Sequence, residues 1–514
     1  MPSLKLALIH SAVDHKQPET NRENLLSLFR EAGEKGAQLV VGPELSISGY
    51  AFNSHRDMAP YAETADGPTL TALADLCRTY GFYAGIGLAE QDAHTGILYN
   101  SAFVLGPNGD VVCRYRKINA ECRWACPGDP REDNTFATPW GRIGVLICSD
   151  SYHSLMPRVT ALRGANLLVV LANWPPTGLD PLEIWRARAL ENGIHVAACN
   201  RTGQDLSMDC RQAPSAIFSA HGTTLLNKHA RTSKLMRANL PLNEAGQLKS
   251  GQRLKRMASR RFDDIHACYR NLAESADLTS LLQLPPPGAL QICCHCCHCA
   301  DALDTLTSAA GAMLQAAAGE PKASPDVLHI LAAKQYSDSD LVEIQHDCAA
   351  TGQKATLCRL SDSGSASVLY WFDGENPPQS MPWNILHGMD AGSFPCFDCG
   401  PARVHIVPFK ALYHPETALA SAKQGCDLAV VFSHSFTDVV RILGGARTID
   451  NLAIAVCSPE GAGVWMTPAG HQRWEEVVAG PGENCRFLLD TNRTRRKRFQ
   501  DRIDFKTLLQ GAVG

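Results

Sequence analysis

Gly141-Arg142-Ile143-Gly144-Val145-Leu146-Ile147-Cys148-Ser149-Asp150-Ser151-Tyr152 decides how this chain is read. An apolar, β-branched run stops at a cysteine. A polar triplet follows, and residues 155–165 then carry apolar side chains at helical spacing. That pattern is strand, sharp turn, helix, with the thiol on the turn. A cysteine there faces the positive end of a helix dipole, which favours the nucleophilic thiolate. The competing reading is a small buried thiol closing a strand.

Two more reactive side chains stand at strand ends. Glu44 follows the apolar run Leu39-Val40-Val41, and Lys117 closes Val111-Val112-Cys113-Arg114-Tyr115-Arg116, the second arm of a hairpin. The surrounding residues resemble the nitrilase superfamily of carbon–nitrogen hydrolases. The matching pieces are Gly-Pro-Glu-Leu (42–45), Tyr-Arg-Lys (115–117), Pro-Gly-Asp (127–129) and Gly-Val-Leu-Ile-Cys-Ser-Asp (144–150). Arg-Ala-Arg-Ala-Leu-Glu-Asn-Gly (186–193) and Asn-Arg-Thr-Gly (200–203) complete the set, so the resemblance spans residues 4–270.

The resemblance implies an α/β fold, a four-layer α-β-β-α sandwich, and a Glu–Lys–Cys triad. Cys148 would attack the carbonyl or nitrile carbon, and Glu44 would take the thiol proton and later hand it to the leaving nitrogen. Lys117, with the backbone N–H of Ser149, would face the oxyanion. Glu121, six residues before Pro127, stands where some amidase branches place a second glutamate; the alternative is a solvated loop carboxylate. Tyr50, Trp124, Ser149, Asn173, Trp174 and Arg201 are the candidates for lining a substrate pocket. The family's Pro-Glu pair after the cysteine is replaced here by Ser154-Leu155, which puts the packing of the next helix in doubt.

True nitrilases commonly follow the cysteine with Trp-Glu. Ser149-Asp150 is nearer the amidases and N-carbamoyl hydrolases, and Ser151-Tyr152-His153 lacks the arginine that the carbamoyl-amino-acid branch uses for a carboxylate. The expected substrate is therefore a small amide or ureido compound, hydrolysed through a cysteine thioester without metal or cofactor. Acyl transfer to an amine, nitrile hydrolysis, and a scaffold with a residual triad remain the alternatives.

Composition bounds this reading. The chain has 514 residues, 45% apolar and 19% charged, with a formal net charge of −4. That is an ordinary globular composition, and it does not favour nucleic acid or a membrane as partner. No apolar run approaches the ~18 residues of a membrane span. The N-terminus reads as a first strand rather than a signal peptide. Twenty cysteines without a secretory signal suggest a reducing compartment, the cytoplasm by default. The basic segments 253–261 and 493–502 lack interleaved aromatics and read as solvated faces or interface ion pairs.

Along the chain, strands are expected at 4–9, 39–44, 82–88, 100–105, 111–117, 166–172, 195–199, 215–219, 223–226 and 234–240. Helices are expected from 20, from 66 and over 181–192. Residues 270–290, with Pro285-Pro286-Pro287-Gly288, read as a connection.

Beyond it the pattern returns. Residues 402–414 lie without gaps over 141–153 at an offset of 261, residues 447–451 answer 188–192, and 341–352 mirror 70–81. The expected organisation is a catalytic domain over 1–280 and a shortened second copy over 289–514. Phe409 stands where Cys148 would be, no lysine lies between Gln379 and Phe409, and no glutamate lies between Pro321 and Val342. The second copy is thus expected to be non-catalytic. It would pair with the first as an intramolecular pseudo-dimer, with a further homo-oligomer left open.

Cysteines and histidines at 293–299, with Cys396 and Cys399, suit zinc by chemistry. They fall where the repeat requires a strand, however, so packing is the preferred reading. Cys122 and Cys126 lie close after Glu121 without ending a strand, and read as reactive bystanders or as a pair that oxidation could join.

Overall fold

Strands rich in Val, Ile and Leu alternate with helices that carry one apolar stripe, so each helix must cover a sheet. The computed structural model describes residues 2–260, 277–296, 326–333, 336–360, 368–382, 394–466, 473–495 and 503–509. Two units result: Met1–Arg260 with Gln500–Gly514, and Arg261–Phe499.

The first unit contains β1 (Ser3–His10), β2 (Leu39–Val41), β3 (Tyr83–Gln91), β4 (Leu98–Leu105), β5 (Val111–Arg116) and β6 (Thr135–Thr138). It continues through β7 (Gly141–Ile147), β8 (Leu167–Ala172), β9 (His195–Asn200), β10 (Ser215–Phe218), β11 (Thr224–Lys228) and β12 (Lys234–Pro241). They form two six-stranded sheets, ordered β12-β1-β2-β3-β4-β5 and β11-β10-β9-β8-β7-β6. In each, the three central strands are parallel and the flanking pairs antiparallel.

Helices Pro18–Glu34 and Pro68–Tyr80 cover the first sheet, with Leu25, Phe29, Leu70 and Leu73 packed on Val40, Ala84 and Phe103. Helices Leu155–Leu162 and Pro181–Asn192 cover the second, and the two sheets meet through β1 with β9 and β4 with β7. The layers are α-β-β-α, as expected. The helix Leu155–Leu162 forms and buries fully although Ser154-Leu155 replaces the family's pair.

The second unit has β13 (Ala289–Cys296), β14 (Asp326–Ala333), β15 (Lys354–Arg359), β16 (Val368–Phe372), β17 (Gln379–Pro382) and β18 (Cys396–Cys399). Then come β19 (Ala402–Val407), β20 (Leu428–Phe432), β21 (Ala453–Ser458), β22 (Gly461–Met466), β23 (Glu475–Ala479) and β24 (Asn484–Asp490). Its sheets run β17-β16-β15-β14-β13-β24 and β18-β19-β20-β21-β22-β23. Strand for strand, order and sense repeat those of the first unit. Four sheets in this arrangement are what two tandem copies would give. Leu290, Ile292, Leu328 and Ile330 face Val404, Ile406, Val430 and Ala455 in the intersheet core.

The boundaries differ from the sequence expectation in two places. Residues 277–288 are bound within the second unit: Arg403 donates to the carbonyls of Leu282 and Gln283, and Arg495 to that of Pro285. Residues 503–509, assigned by sequence to the second copy, belong to the first unit. There Asp504 Oδ2 pairs with Arg163 Nη2 at 2.9 Å, the Leu508 carbonyl accepts from Arg260, and the Leu508 side chain is wholly buried. Burial of an apolar side chain and a shielded ion pair outweigh proximity in sequence.

The basic segments are mixed where described: Lys255 is exposed, Arg253 is buried on Asn166, and Arg495 is paired with Asp427. Of the Cys/His run, Cys293, Cys294, His295 and Cys296 are buried strand residues, while 297–299 lie outside the described residues. Among the described residues no group of three metal-binding side chains forms, and no helix is long and apolar enough to cross a membrane.

Candidate active site

Glu44, Cys148 and Asn173 each stand just past the C-terminal end of a parallel strand, and Lys117 follows β5 directly. Sheets of this kind present their reactive groups at those ends. Cys148 adopts φ +40° at the head of the turn Cys148–Ser151, a left-handed conformation that lifts its side chain off the strand direction. The turn is clamped. Ser151 Oγ donates to the Cys148 carbonyl (2.6 Å), and Trp185 Nε1 donates to Ser151 Oγ (3.2 Å). Arg188 donates to the carbonyls of Ser151 (2.9 Å) and Tyr152 (2.6 Å) while Glu191 neutralises it at 2.6 Å. The run 186–193 thus fixes the Cys148 turn from the neighbouring helix.

Glu44 is fully buried. Its Oε1 accepts from Lys117 Nζ (2.7 Å) and Asn100 Nδ2 (2.8 Å), and its Oε2 from the backbone N–H of Asn173 (3.0 Å). The Asn173 carbonyl in turn accepts from Cys148 Sγ at 3.8 Å, so one residue touches both Glu44 and the thiol. Lys117 Nζ also donates to Glu121 Oε1. Glu121 accepts further from the Tyr50 hydroxyl (2.9 Å) and from Asn100 Nδ2 (2.9 Å). Glu121 is thereby a buried member of the cluster rather than a solvated loop carboxylate.

Two glycines make this possible. A Cβ at Gly87 would lie 2.7 Å from the Glu44 Cα, and one at Gly128 would lie 2.1 Å from the Arg116 carbonyl oxygen. Gly128, from the Pro-Gly-Asp motif, also donates its N–H to the Lys117 carbonyl (2.9 Å).

Burial pushes the Glu44 carboxyl above its ordinary value, against the pull of Lys117. Glu121 is also buried, yet Lys117 and the Asn100 amide hold it below its ordinary value. Burial works against a charged Lys117, but Glu121 and Glu44 outweigh it and keep the ammonium protonated. Burial, then the Glu44 carboxylate, drive the Cys148 thiol well above its ordinary value. The expected dipole-stabilised thiolate is therefore corrected: at neutral pH this cysteine is a thiol with a carboxylate nearby.

The other sequence candidates divide. Tyr50 and Asn173 are in the cluster. Ser149 Oγ donates to the Asn119 carbonyl (3.3 Å), and its neighbour Asp150 accepts from Tyr115 (2.6 Å) and from the N–H groups of Ile118 and Asn119, pinning the residues after Lys117. Trp174 is held by Leu179 through its indole and lies edge-on to Trp185. Trp124 packs with Leu45, Phe52 and Leu98, anchoring the turn of Glu121. Arg201 pairs with Asp205 at 2.5 Å and is not hydrogen-bonded to any of the three central residues. Asn100 and Arg188 were missed as individual residues; Arg188 lay inside a recognised motif, while Asn100 gave no signal beyond its strand.

Residues 5–250 match the family model described as carbon-nitrogen hydrolase. A nitrilase of Pyrococcus abyssi is 34% identical over 210 residues, 39% of this chain and 76% of that protein. Human omega-amidase NIT2 is 30% identical over 240 residues, 44% of this chain and 84% of that protein. Among solved structures, a carbon-nitrogen hydrolase from Helicobacter pylori G27 aligns with a TM-score of 0.45 at 21% identity, covering 52% of this chain and 99% of that one. Nit3 of Saccharomyces cerevisiae, a member of branch 10 of the nitrilase superfamily, aligns with 0.43 at 21% identity, covering 48% and 92%.

Proposed function

Because the chain belongs to the carbon-nitrogen hydrolase family, the nitrilase superfamily, we propose that it hydrolyses a small amide or N-carbamoyl compound with Cys148 as nucleophile, Glu44 as base and Lys117 as oxyanion partner. The observation that carries this is the pair of contacts at Asn173: its N–H on Glu44 Oε2 and its carbonyl on Cys148 Sγ. Glu44 Oε1 already accepts two hydrogen bonds and Oε2 one, so Oε2 is the oxygen with capacity left for the thiol proton.

The sulfur attacks the carbonyl carbon as its proton passes to Glu44. A C–S bond forms, and the carbonyl oxygen takes up charge that the fixed Lys117 ammonium offsets. Collapse breaks the C–N bond, and Glu44 gives its proton to the departing nitrogen. Water then attacks the thioester, losing a proton to Glu44; the acid leaves, and the proton returns to sulfur. Glu121, held low by Lys117, keeps that cation in place and offers a carboxylate edge for an amide N–H. An amide substrate is favoured by the likeness to omega-amidase. The second unit is non-catalytic in this reading. Twenty cysteines in this chain favour a reducing compartment such as the cytoplasm.

The test is a screen of the purified enzyme for ammonia release across amides, ureido acids and nitriles, with Cys148→Ala as control. Activity that survives in the control overturns the assignment.

A further inference from the structure

Glu44 and Glu121 are two buried carboxylates facing a single ammonium, so Lys117 alone leaves the cluster one charge short of neutral. Besides Lys117, the side chain that donates to both is one amide. Asn100 lies in β4, opposite Ala89 of β3, with its carbonyl accepting from the Lys117 N–H at 2.8 Å. Its Nδ2 donates to Glu44 Oε1 at 2.8 Å and to Glu121 Oε2 at 2.9 Å. Only the NH₂ end can face two carboxylate oxygens, since the carbonyl end would repel both. The side chain is wholly buried and its Oδ1 has no partner, so the group gives up one acceptor to aim both donors inward.

We infer that Asn100 is a positioning residue that clamps the base Glu44 and the second carboxylate Glu121 together through one amide, keeping both ionised and in fixed relation to Lys117. This rests on the reading of Glu44 as the base for Cys148. The groups facing the pair are Lys117 from the end of β5, Tyr50 from the loop after Glu44, and Cys148 from the turn after β7. Asp150 acts on Lys117 from that same turn, and the Cys210 thiol feels Glu44. Among these, Asn100 supplies donors to both carboxylates without a charge of its own, as Lys117 does with one. Removing the amide therefore raises both carboxyls toward the neutral acid.

The test follows alkylation of Cys148 by 2-chloroacetamide in the full-length chain by intact mass across pH 4–9, so no substrate need be known. A hydrogen bond to an ionised group is typically worth a factor on the order of ten. Asn100→Ala is expected to alkylate about tenfold more slowly at pH 7, with the acid limb moved up by about one pH unit. Asn100→Ser, which keeps one O–H donor, falls between Ala and the parent. Asn100→Asp keeps the shape but replaces the donors by a third carboxylate, and is expected to be the slowest at pH 7.

A packing role predicts the opposite order, Asp at or above Ala, with one unmoved acid limb; that result overturns the clamp. Thermal melting of each variant checks folding, and the Ser variant keeps the ranking readable if Asp does not fold. Glu44→Gln separates the two ideas. If it alkylates like the parent, the base assignment falls and the clamp with it. If it is slow while Asn100→Ala follows the parent curve, the clamp alone falls.

Discussion

The two units put the same strand–turn–helix corner to different ends. In the first, β7 runs into the turn Cys148–Ser151 and the helix Leu155–Leu162; in the second, β19 runs through Pro408 into the turn Phe409–Tyr413 and the helix Pro415–Lys423. The buried pair Arg188–Glu191 has its counterpart in Arg447 and Asp450, 3.7 Å apart, at the same place behind the corner. What differs lies elsewhere. After β2 the first unit has residues 42–67, which bear Glu44 and the short helix His55–Met58, before the helix Pro68–Tyr80; in the second, β14 ends at Ala333 and the next described helix starts at Asp338. The two units therefore share their layers and a strand–turn–helix corner while differing in the segments around it, because the core and the site draw on different residues.

The sharpest break of this contrast is at the corner itself. Cys148→Ala is expected to abolish amide turnover, a loss of about four orders of magnitude or more, with the melting temperature little changed. An initial-rate assay at saturating amide, once a substrate is in hand, reads this directly. Comparable residual turnover would place the chemistry outside this corner.

Smaller, and informative about how the charge cluster works, are Glu44→Gln and Lys117→Met. Each is expected to lower kcat/KM by roughly 10²–10⁴-fold. With Glu44 as the proposed base, the carboxyl must be ionised; burial raises it, and so activity is expected to fall as pH drops through a value above 4.5. Because the thiol is held high, no thiolate is waiting in the resting enzyme. A pH–rate profile with its acid limb at or below 4.5 would contradict that arrangement.

Much of this was legible in sequence because the reactive residues end apolar strands, where a local pattern suffices. The turn after β7, Glu44 after β2 and Lys117 after β5 all follow from that. What was not legible is lateral. Asn100 meets Glu44 across 56 positions and Glu121 across 21, in a strand whose alternation says only that the side chain is inside. Gly87 matters because the Glu44 backbone crosses it, a fact of sheet register rather than of composition. The dipole argument for Cys148 failed because burial beside a carboxylate outweighs a partial charge. The segment 503–509 was misplaced for a similar reason: its partner Arg163 lies 341 residues upstream.

That segment yields a prediction of intermediate size. A chain ending at residue 502 loses the buried Leu508 and the Asp504–Arg163 pair, and the first unit should be destabilised by about 2 kcal/mol. Hydrogen exchange is expected to rise over the helix Leu155–Leu162, which the helix Phe505–Leu508 touches, and to stay unchanged in β19–β21. Equal protection in the two chains would mean that the tail contributes nothing to the catalytic half.

The smallest expected effect is the most instructive. Phe409→Cys, placed in a Cys148→Ala chain, restores a thiol at the matching corner of the second unit, where Phe409 now packs edge-on to Tyr413. It should restore no amide turnover. A thiol with an ordinary pKa is a few per cent ionised at neutral pH. The sequence offers no glutamate between Pro321 and Val342 and no lysine between Gln379 and Phe409. Alkylation of the new thiol should follow simple thiolate chemistry, rising tenfold per pH unit up to its pKa, whereas Cys148 should show the limb of its carboxylate. If the variant gained turnover, the second unit would hold a base and a cation that its sequence does not show. The difference between the two corners would then rest on one side chain instead of on the loops around it.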